Sequence, residues 1–368
     1  MNAPHTDSVD DSPDYSVLAG RIKRWGRGLG FGAVGITGVD IAEDEARLMA
    51  WLDGERHGEM AYMAMHGIKR TRPEALRPGT ISVISARLDY MRAECAPAEA
   101  VLENKELGYV SRYALGRDYH KVMRRKLQRL ADRISAEVGG FGYRAFTDSA
   151  PVMEKPLARN AGLGWIGKHT NLLSRDAGSW FFIGELYTDL PLPQDPPGTD
   201  HCGTCRACID ACPTGAITAP YELDARLCIS YLTIELKGSI PFELRPLVGN
   251  RVFGCDDCQL VCPWNRFAAH SDNDDFSPRH ALDAPRLEDL IRWSEAEFLH
   301  KTRGSAIRRA GYEGWLRNVA VALGNANTSP EVISALKSRL DFPSAMVREH
   351  IDWALERHGV GESDRGTA

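Results

Sequence analysis

The sequence predicts a mixed chain, α+β or α/β in its catalytic core, with an inserted two-cluster ferredoxin-like module and a C-terminal α-helical, HEAT-like repeat region. Three observations predict it. Strand-like and helix-like segments alternate across residues 15–198. Eight of the nine cysteines then fall between positions 202 and 262. From Ala281 onward the apolar spacing is helical almost to the end.

In the first part, residues 1–14 are polar and acidic, lack a signal-peptide core, and read as a disordered tail. Ala33–Thr37 reads as a strand, Ile41–Leu52 as a helix and Ile81–Ser85 as an alternating strand. Tyr119–Val138 is a long amphipathic helix. Tyr143–Thr147 and Trp180–Tyr187 are further strands. Asp148, at the end of the third strand-like run, reads by itself as a helix cap before Pro151. The proline-rich stretch Pro191–Pro197 marks a boundary. The cluster module follows over 199–280, with Leu223–Leu236 helical in pattern. The helical region spans 281–360. In it Arg317–Leu323 resembles Arg348–Leu355 at an offset of about 31 residues, the signature of stacked helix pairs. Residues 361–368 read as a frayed tail.

The cysteines carry the chemistry. The first run is Cys202-x2-Cys205-x2-Cys208-x3-Cys212-Pro213. The second is Cys255-x2-Cys258-x3-Cys262-Pro263, with Cys228 between them. Thiolates at this spacing, closed by Cys-Pro, are ligands of cubane [4Fe-4S] clusters, and eight ligands make two. In two-cluster segments the last cysteine of each run crosses to the other cluster. That assigns Cys202, Cys205, Cys208 and Cys262 to one cluster and Cys212, Cys255 and Cys258 to the other. The second set is one short, and Cys228 completes it. Zinc would explain neither the two Cys-Pro endings nor the third cysteine of the first run. A disulfide framework belongs to small secreted domains, not to a chain of 368 residues. Cys95 stands alone and reads as an inert thiol.

Composition is that of an ordinary globular chain, 43% hydrophobic and 26% charged. No apolar run approaches the ~18 residues of a membrane span. Cluster assembly needs a reducing compartment, so a cytoplasmic location is expected. The net charge of −5 excludes a global basic field. Three local basic clusters nevertheless point to a phosphate-binding surface: Arg21, Lys23, Arg24 and Arg27; Lys121, Arg124, Arg125, Lys126 and Arg129; and Lys301, Arg303, Arg308 and Arg309. Two segments, Gly30–Gly35 and Gly162–Gly167, match G-x-G-x-x-G. A dinucleotide fingerprint must follow a strand and open a helix, and neither does. The second match still makes a loop, continued by Lys168, His169, Thr170 and Asn171, where backbone can approach a ligand closely. Asp118-x-His120 begins like a D-x-H-x-x-G cobalt-ligating pattern, but Met123 occupies the glycine position and the match fails.

Four stretches together resemble the epoxyqueuosine reductase family: Asp148–Lys155, Ala161–Lys168, Cys228–Glu235 and Gly254–Gln259. The similarity runs from about residue 15 to 355, with His169 standing where asparagine is more usual. The resemblance implies reduction of epoxyqueuosine to queuosine in the tRNA anticodon. It implies two [4Fe-4S] clusters, a base-off cobalamin, and a catalytic core similar to that of reductive dehalogenases. On the matching positions it makes Asp148 the proton donor. It places Arg72 by the corrin, with Lys168, His169, Thr170, Asn171 and Ser230 lining the same pocket. Burial beside the corrin is expected to raise the Asp148 pKa. The implied partners are a queuosine-type tRNA and a low-potential electron donor such as a flavodoxin or ferredoxin. No membrane is involved, and a monomer is expected.

Three other readings compete with this one. A cobalamin and iron–sulfur reductase of a small molecule, of dehalogenase type, would lack tight, salt-sensitive tRNA binding. A ferredoxin-type carrier would not need the ~200 residues before the clusters. A zinc-dependent nucleic-acid binder would be colourless and free of iron.

Overall fold

The computed structural model describes residues 14–361, so both expected tails lie outside the described residues except for Asp14 and Gly361. Asp14 starts the first helix, α1 (Tyr15–Gly28), where its carboxylate accepts from the backbone N–H of Ser16 and Val17. Then follow β1 (Ala33–Thr37), α2 (Ala42–Asp53), β2 (Ser82–Asp89), the short β3 (Tyr109–Val110) and α3 (Tyr119–Val138). Next come β4 (Tyr143–Phe146), α4 (Glu154–Asn160), the hairpin β5 (Trp165–Ile166) with β6 (Leu172–Leu173), and β7 (Phe181–Thr188).

Four of these strands form one sheet in the order β1-β2-β7-β4, and every pairing is antiparallel. The alternation of strands and helices allows a parallel α/β sheet, but the connections return each strand the other way. The core is therefore α+β. Both faces of the sheet are covered. Ile84, Ala86 and Leu186 pack under α1 and α3, which contribute Ile22, Met123, Leu127 and Leu130. Val83, Phe146 and Tyr187 face Leu157 of α4. Burial on both faces is why β7 reads as a nearly continuous apolar run, whereas β2 keeps the alternation of its first residues.

α3 shows why its sequence is helical. Val122, Met123, Leu127, Leu130, Ala131 and Ile134 make one buried stripe, Asp118 caps the start, and Gly139 ends the helix at φ 76°. Lys121, Arg124, Arg125 and Arg129 are exposed on the other side. Both glycine motifs serve packing. A Cβ on Gly35 would lie 1.9 Å from the carbonyl oxygen of Ala161, and one on Gly164 would lie 1.9 Å from that of Leu173. The proline-rich stretch is coil, yet it returns to the sheet. Asp195 N donates to Ile36 O at 2.8 Å, and its carboxylate accepts from Ile36 N and from Lys23.

The cysteine-bearing segment holds the hairpin β8 (Ile217–Ala219) with β9 (Glu222–Leu223), α5 (Ile229–Ile234) and β10 (Arg251–Phe253). It is joined to the preceding region, because β10 pairs in parallel with β3. The rest is helical and centres on α6 (Gly311–Gly324), which packs against α7 (Ala345–Arg357) at the close approach of Gly324 to Trp353 and Ala354. Arg317 and Arg348, aligned by the 31-residue offset, both donate to carbonyls of an earlier segment. Arg317 reaches Leu232, Leu236 and Gly238; Arg348 reaches Phe342 and Pro343. Among the described residues no helix is long and apolar enough to cross a membrane.

Asn318 is fully buried and donates to Thr233 O at 2.7 Å and Val252 O at 2.9 Å, which ties α6 to α5 and β10. Asn318→Ala leaves two buried carbonyls without donors. It is expected to cost about 2–3 kcal/mol in urea denaturation; a loss below about 0.5 kcal/mol would mean that the tie is dispensable.

Candidate active site and cluster cradle

None of the nine cysteines is in a disulfide. Cys202, Cys205, Cys208 and Cys262 line one small cavity of about 50 Å³, walled further by Lys168, His169, Leu173 and Trp264. Burial, then the neighbouring Cys262, Cys202 and Cys205, pushes the Cys208 thiol up to about 11. Cys258 is pushed up by burial first, then by Cys228 and Cys212 among its neighbours. Cys255 sits on the same turn as Cys258, its sulfur 2.8 Å from Asp257 Oδ2. Each set thus takes one cysteine from the other run, and Cys228 lies with Cys212 and Cys258. Among the described residues no three His, Cys, Asp or Glu side chains converge on a single-ion site. Cys95 lies apart from both sets, its thiol raised by burial.

The turn carrying Cys255 and Cys258 is pinned from below. The carboxylate of Asp256, buried between them, accepts from Tyr109 OH at 2.7 Å, Ser111 Oγ at 2.6 Å and Arg112 N at 2.8 Å. Arg251 grips Asp257 with Nε at 2.7 Å and NH2 at 2.5 Å.

Asp148 stands at the end of β4 with φ 46°, a left-handed conformation that costs a non-glycine residue. It caps no helix: α4 begins at Glu154, and no side chain caps it. Instead its Oδ2 accepts from Tyr119 OH and lies 3.4 Å from His120 Nε2. His120 Nδ1 meets Asp118 Oδ1 at 2.7 Å. The backbone N–H of Asp148 donates to Glu154 Oε1. Tyr119 is stacked on Phe182, with ring centroids 4.1 Å apart and planes 3° from parallel, which holds its hydroxyl in place.

The electrostatics sort these groups. Burial lowers the pKa of His120, but its bonds to Asp118 and Asp148 win and raise it to about 9. The expected upward push of burial on Asp148 is present, and the bonds from His120 and Tyr119 outweigh it, so the carboxyl falls below its ordinary value. At neutral pH the proton therefore rests on His120. Glu154 goes the other way: burial first, then the charge of Asp148, raises it to about 8. Burial lowers Lys155, which also feels Cys258 and Cys228, so the acid cluster and the second cysteine set are close neighbours.

The flank is formed by residues 61–70. Buried Arg70 donates to the carbonyls of Tyr62 and Met63 and senses Asp148. Tyr62, Met65 and Ile68 stay exposed beside it. Arg309 lies 5.4 Å over the Tyr62 ring and pairs with Glu235 at 2.5 and 2.8 Å. Arg72 is held by both oxygens of Glu45. Lys168 Nζ donates to the carbonyls of Gly203 and Cys205, and buried His169 accepts from Asn171 N with its Nε2 unpartnered. Lys155 Nζ reaches Thr170 O at 2.9 Å and Asn171 Oδ1 at 3.3 Å. Ser230 Oγ donates to Cys255 O at 3.4 Å. Sequence reasoning missed Tyr119, Glu154 and Lys155 and set His120 aside. Tyr119 and His120 lie within the discarded cobalt pattern; Glu154 and Lys155 lie in a quoted motif but carried no spacing signal.

A sheet-based core, a pair of four-cysteine sets and an acid cluster beside one of them define an iron–sulfur oxidoreductase. Comparison with known proteins agrees. Residues 201–265 match the 4Fe-4S double cluster binding domain, and residues 70–149 match the model described as epoxyqueuosine reductase QueG, DUF1730. An epoxyqueuosine reductase of Pseudomonas aeruginosa is 62% identical over 348 residues, covering 94% of this chain and 96% of its own. The chain belongs to the epoxyqueuosine reductase family. Among solved structures, an epoxyqueuosine reductase with an epoxyqueuosine-modified tRNA-Tyr stem loop superposes with TM-score 0.83 at 27% identity, covering 93% of this chain and 90% of the other. A Bacillus subtilis epoxyqueuosine reductase, whose aspartate-bearing catalytic loop is swung out of its active site, gives TM-score 0.84 at 27% identity with the same coverage.

Two outcomes follow from this geometry. Cys228→Ala is expected to drop iron in the anaerobically reconstituted protein from about eight to about four per chain, while Cys95→Ala keeps about eight; equal iron in both variants would reject the assignment. His120 is raised on folding, so its charge stabilises the fold in full below about pH 6.5, and that contribution is lost as pH climbs through about 9. Urea melts of wild type and His120→Gln are expected to differ at about pH 6 and to converge at about pH 10.

Proposed function

We propose that the protein reduces epoxyqueuosine to queuosine in the anticodon of tRNA, with Asp148 handing protons to the departing oxygen. The observation that carries this reading is the chain Asp118–His120–Asp148, set beside Lys155 and the second cysteine set. Protons and electrons can meet there.

The residues fit the implied groups. Two exchanged sets of four thiolates suit two [4Fe-4S] clusters. A broad apolar macrocycle suits the exposed Tyr62, Met65 and Ile68 beside Asp148. Arg72, Lys168, His169, Thr170, Asn171, Ser230 and Asp148 would hold the corrin, Lys168 and His169 from the wall they share with the first cysteine set. When bound, the clusters supply single electrons at low potential and the cobalamin supplies a reduced cobalt that reacts with carbon.

The protein's own part is proton delivery and placement. Asp148 is ionised at rest and is fed by His120, which keeps its proton up to about pH 9. Tyr119 holds the carboxylate in line. The exposed Lys121, Arg124, Arg125 and Arg129 of α3 flank the site and suit tRNA phosphates. The modified base would enter out of its stack. One chain carries all of these parts, so a monomer suffices.

The test is anaerobic incubation of the reconstituted enzyme with reductant and epoxyqueuosine-containing tRNA, followed by nucleoside mass analysis. Asp148→Asn is expected to lower kcat by about 100-fold or more while iron content and tRNA affinity stay unchanged. Full activity in that variant would remove Asp148 from the reaction.

A further inference from the structure

Two buried N–H donors beside the first cysteine set have no acceptor. One is Nε2 of His169, a residue 3% exposed; the other is the indole Nε1 of Trp165, 2% exposed. The tautomer of the imidazole follows from its neighbour. The backbone N–H of Asn171 can only donate, and it meets His169 Nδ1 at 3.1 Å. Nδ1 is therefore the acceptor of a neutral ring, and the hydrogen sits on Nε2. An indole nitrogen is only ever a donor. Donors kept from water and left unpaired are costly.

Both donors belong to one small element pressed against the cysteines. Trp165 of β5 pairs with Leu173 of β6, and His169 lies in the loop that joins the two strands. This hairpin contains the end of the second glycine motif, Gly162–Gly167. Trp165 packs with Leu173, Cys202 and Cys262. Its ring meets His201 edge-on at 5.0 Å between centroids and Trp264 at 5.1 Å, so it touches the residue before Cys202 and the one after Pro263. Lys168 ties the loop to the Cys205 turn by donating to the carbonyls of Gly203 and Cys205. His169 lines the cavity that Cys202, Cys205, Cys208 and Cys262 share. Apart from those four sulfurs, the side chains around it are Lys168, Leu173, Ala207, Pro263 and Trp264, and none of them accepts a hydrogen bond.

We propose that His169 Nε2–H and Trp165 Nε1–H donate to the sulfurs of the cluster held by Cys202, Cys205, Cys208 and Cys262, and that these two bonds raise its reduction potential. Reduction adds one electron to the cube and no proton, so negative charge grows on its sulfides and thiolates. A donor fixed beside those sulfurs is bonded more strongly in the reduced form, which makes the electron easier to accept. The electron comes from an external low-potential carrier, which is oxidised by one electron. Of the nine cysteines only Cys205 is exposed, so the tuned cluster is the one with a ligand within reach of such a carrier. His169 can serve the proposed corrin pocket through its backbone and still turn its ring to the cysteines.

The test is a redox titration of the anaerobically reconstituted holoprotein, followed by EPR. Trp165→Phe and His169→Phe each keep an aromatic ring and remove the N–H. In each, one of the two clusters is expected to hold its electron about tenfold less tightly, a midpoint about 59 mV more negative. The other cluster keeps its midpoint, and iron stays at about eight per chain. The same shift is expected in the Cys228→Ala background, where only the first cysteine set is complete. A loosened site that admits water would move the midpoint upward, because water also stabilises the more negative reduced form, so the sign separates a lost bond from a packing fault. Pulsed EPR of the reduced wild type needs no variant to fold. With isotope-labelled histidine or tryptophan it is expected to detect one imidazole and one indole nitrogen coupled to a cluster, each through an exchangeable proton. Wild-type spectra without either nitrogen would overturn the proposal, and so would a first-cluster midpoint unmoved by either substitution. Neither readout involves Asp148 or tRNA, so the outcome is independent of the reaction proposed above.

Discussion

Asp256 holds the molecule's working parts in register. A carboxylate with no access to solvent needs donors, and three come from one short stretch, Tyr109, Ser111 and Arg112. Burial still pushes its carboxyl up, so the site depends on all three bonds. Because Asp256 lies between Cys255 and Cys258, satisfying it fixes where that cysteine turn can sit. The parallel pairing of β10 with β3 and the clasp of Asn318 on Thr233 and Val252 close the same joint from two other directions. The cysteine segment is thus built into the chain on both sides and is not a bead on a string.

That joint brings unlike chemistries together. The second cysteine set is soft and anionic, and the Asp148 cluster is hard and proton-rich. Lys155 lies between them, feeling Asp148 on one side and Cys258 and Cys228 on the other. Its ammonium donates to the 170–171 loop, where Thr170 adopts φ 67°. Two left-handed non-glycine residues, Asp148 and Thr170, therefore flank one lysine. Strained backbone of this kind persists where surrounding bonds over-determine it.

The basic clusters divide in the folded chain. Arg21 and Lys23 are neutralised by Glu137 and Asp195, Lys126 donates to Leu29 O, and Arg309 belongs to the site through Glu235 and Tyr62. Arg24, Arg27, Arg303 and Arg308 stay exposed, and the outer face of α3 carries the densest row of exposed basic side chains, Lys121, Arg124, Arg125 and Arg129. The same helix supplies Tyr119 and His120 at its start. On the proposed reading, one element would both meet phosphates and position the acid, coupling where a nucleic acid binds to where a proton is delivered.

Spacing alone sufficed for the two cluster sets, the amphipathic α3 and the strand positions, because each rests on a short-range period or a ligand interval. Asp148 was legible only through a motif of its family; its own sequence neighbourhood suggested a cap. His120 was visible and set aside, because a histidine that orients a carboxylate looks locally like one that ligates a metal. The antiparallel direction of the sheet, the bond from the Asp148 backbone N–H to Glu154 and the burial of Asp256 join residues far apart or on separate elements. No local period encodes them. They arise when the sheet, α4 and the cysteine turn exclude water from the same volume, and exclusion of water is what turns ordinary carboxyls into proton holders.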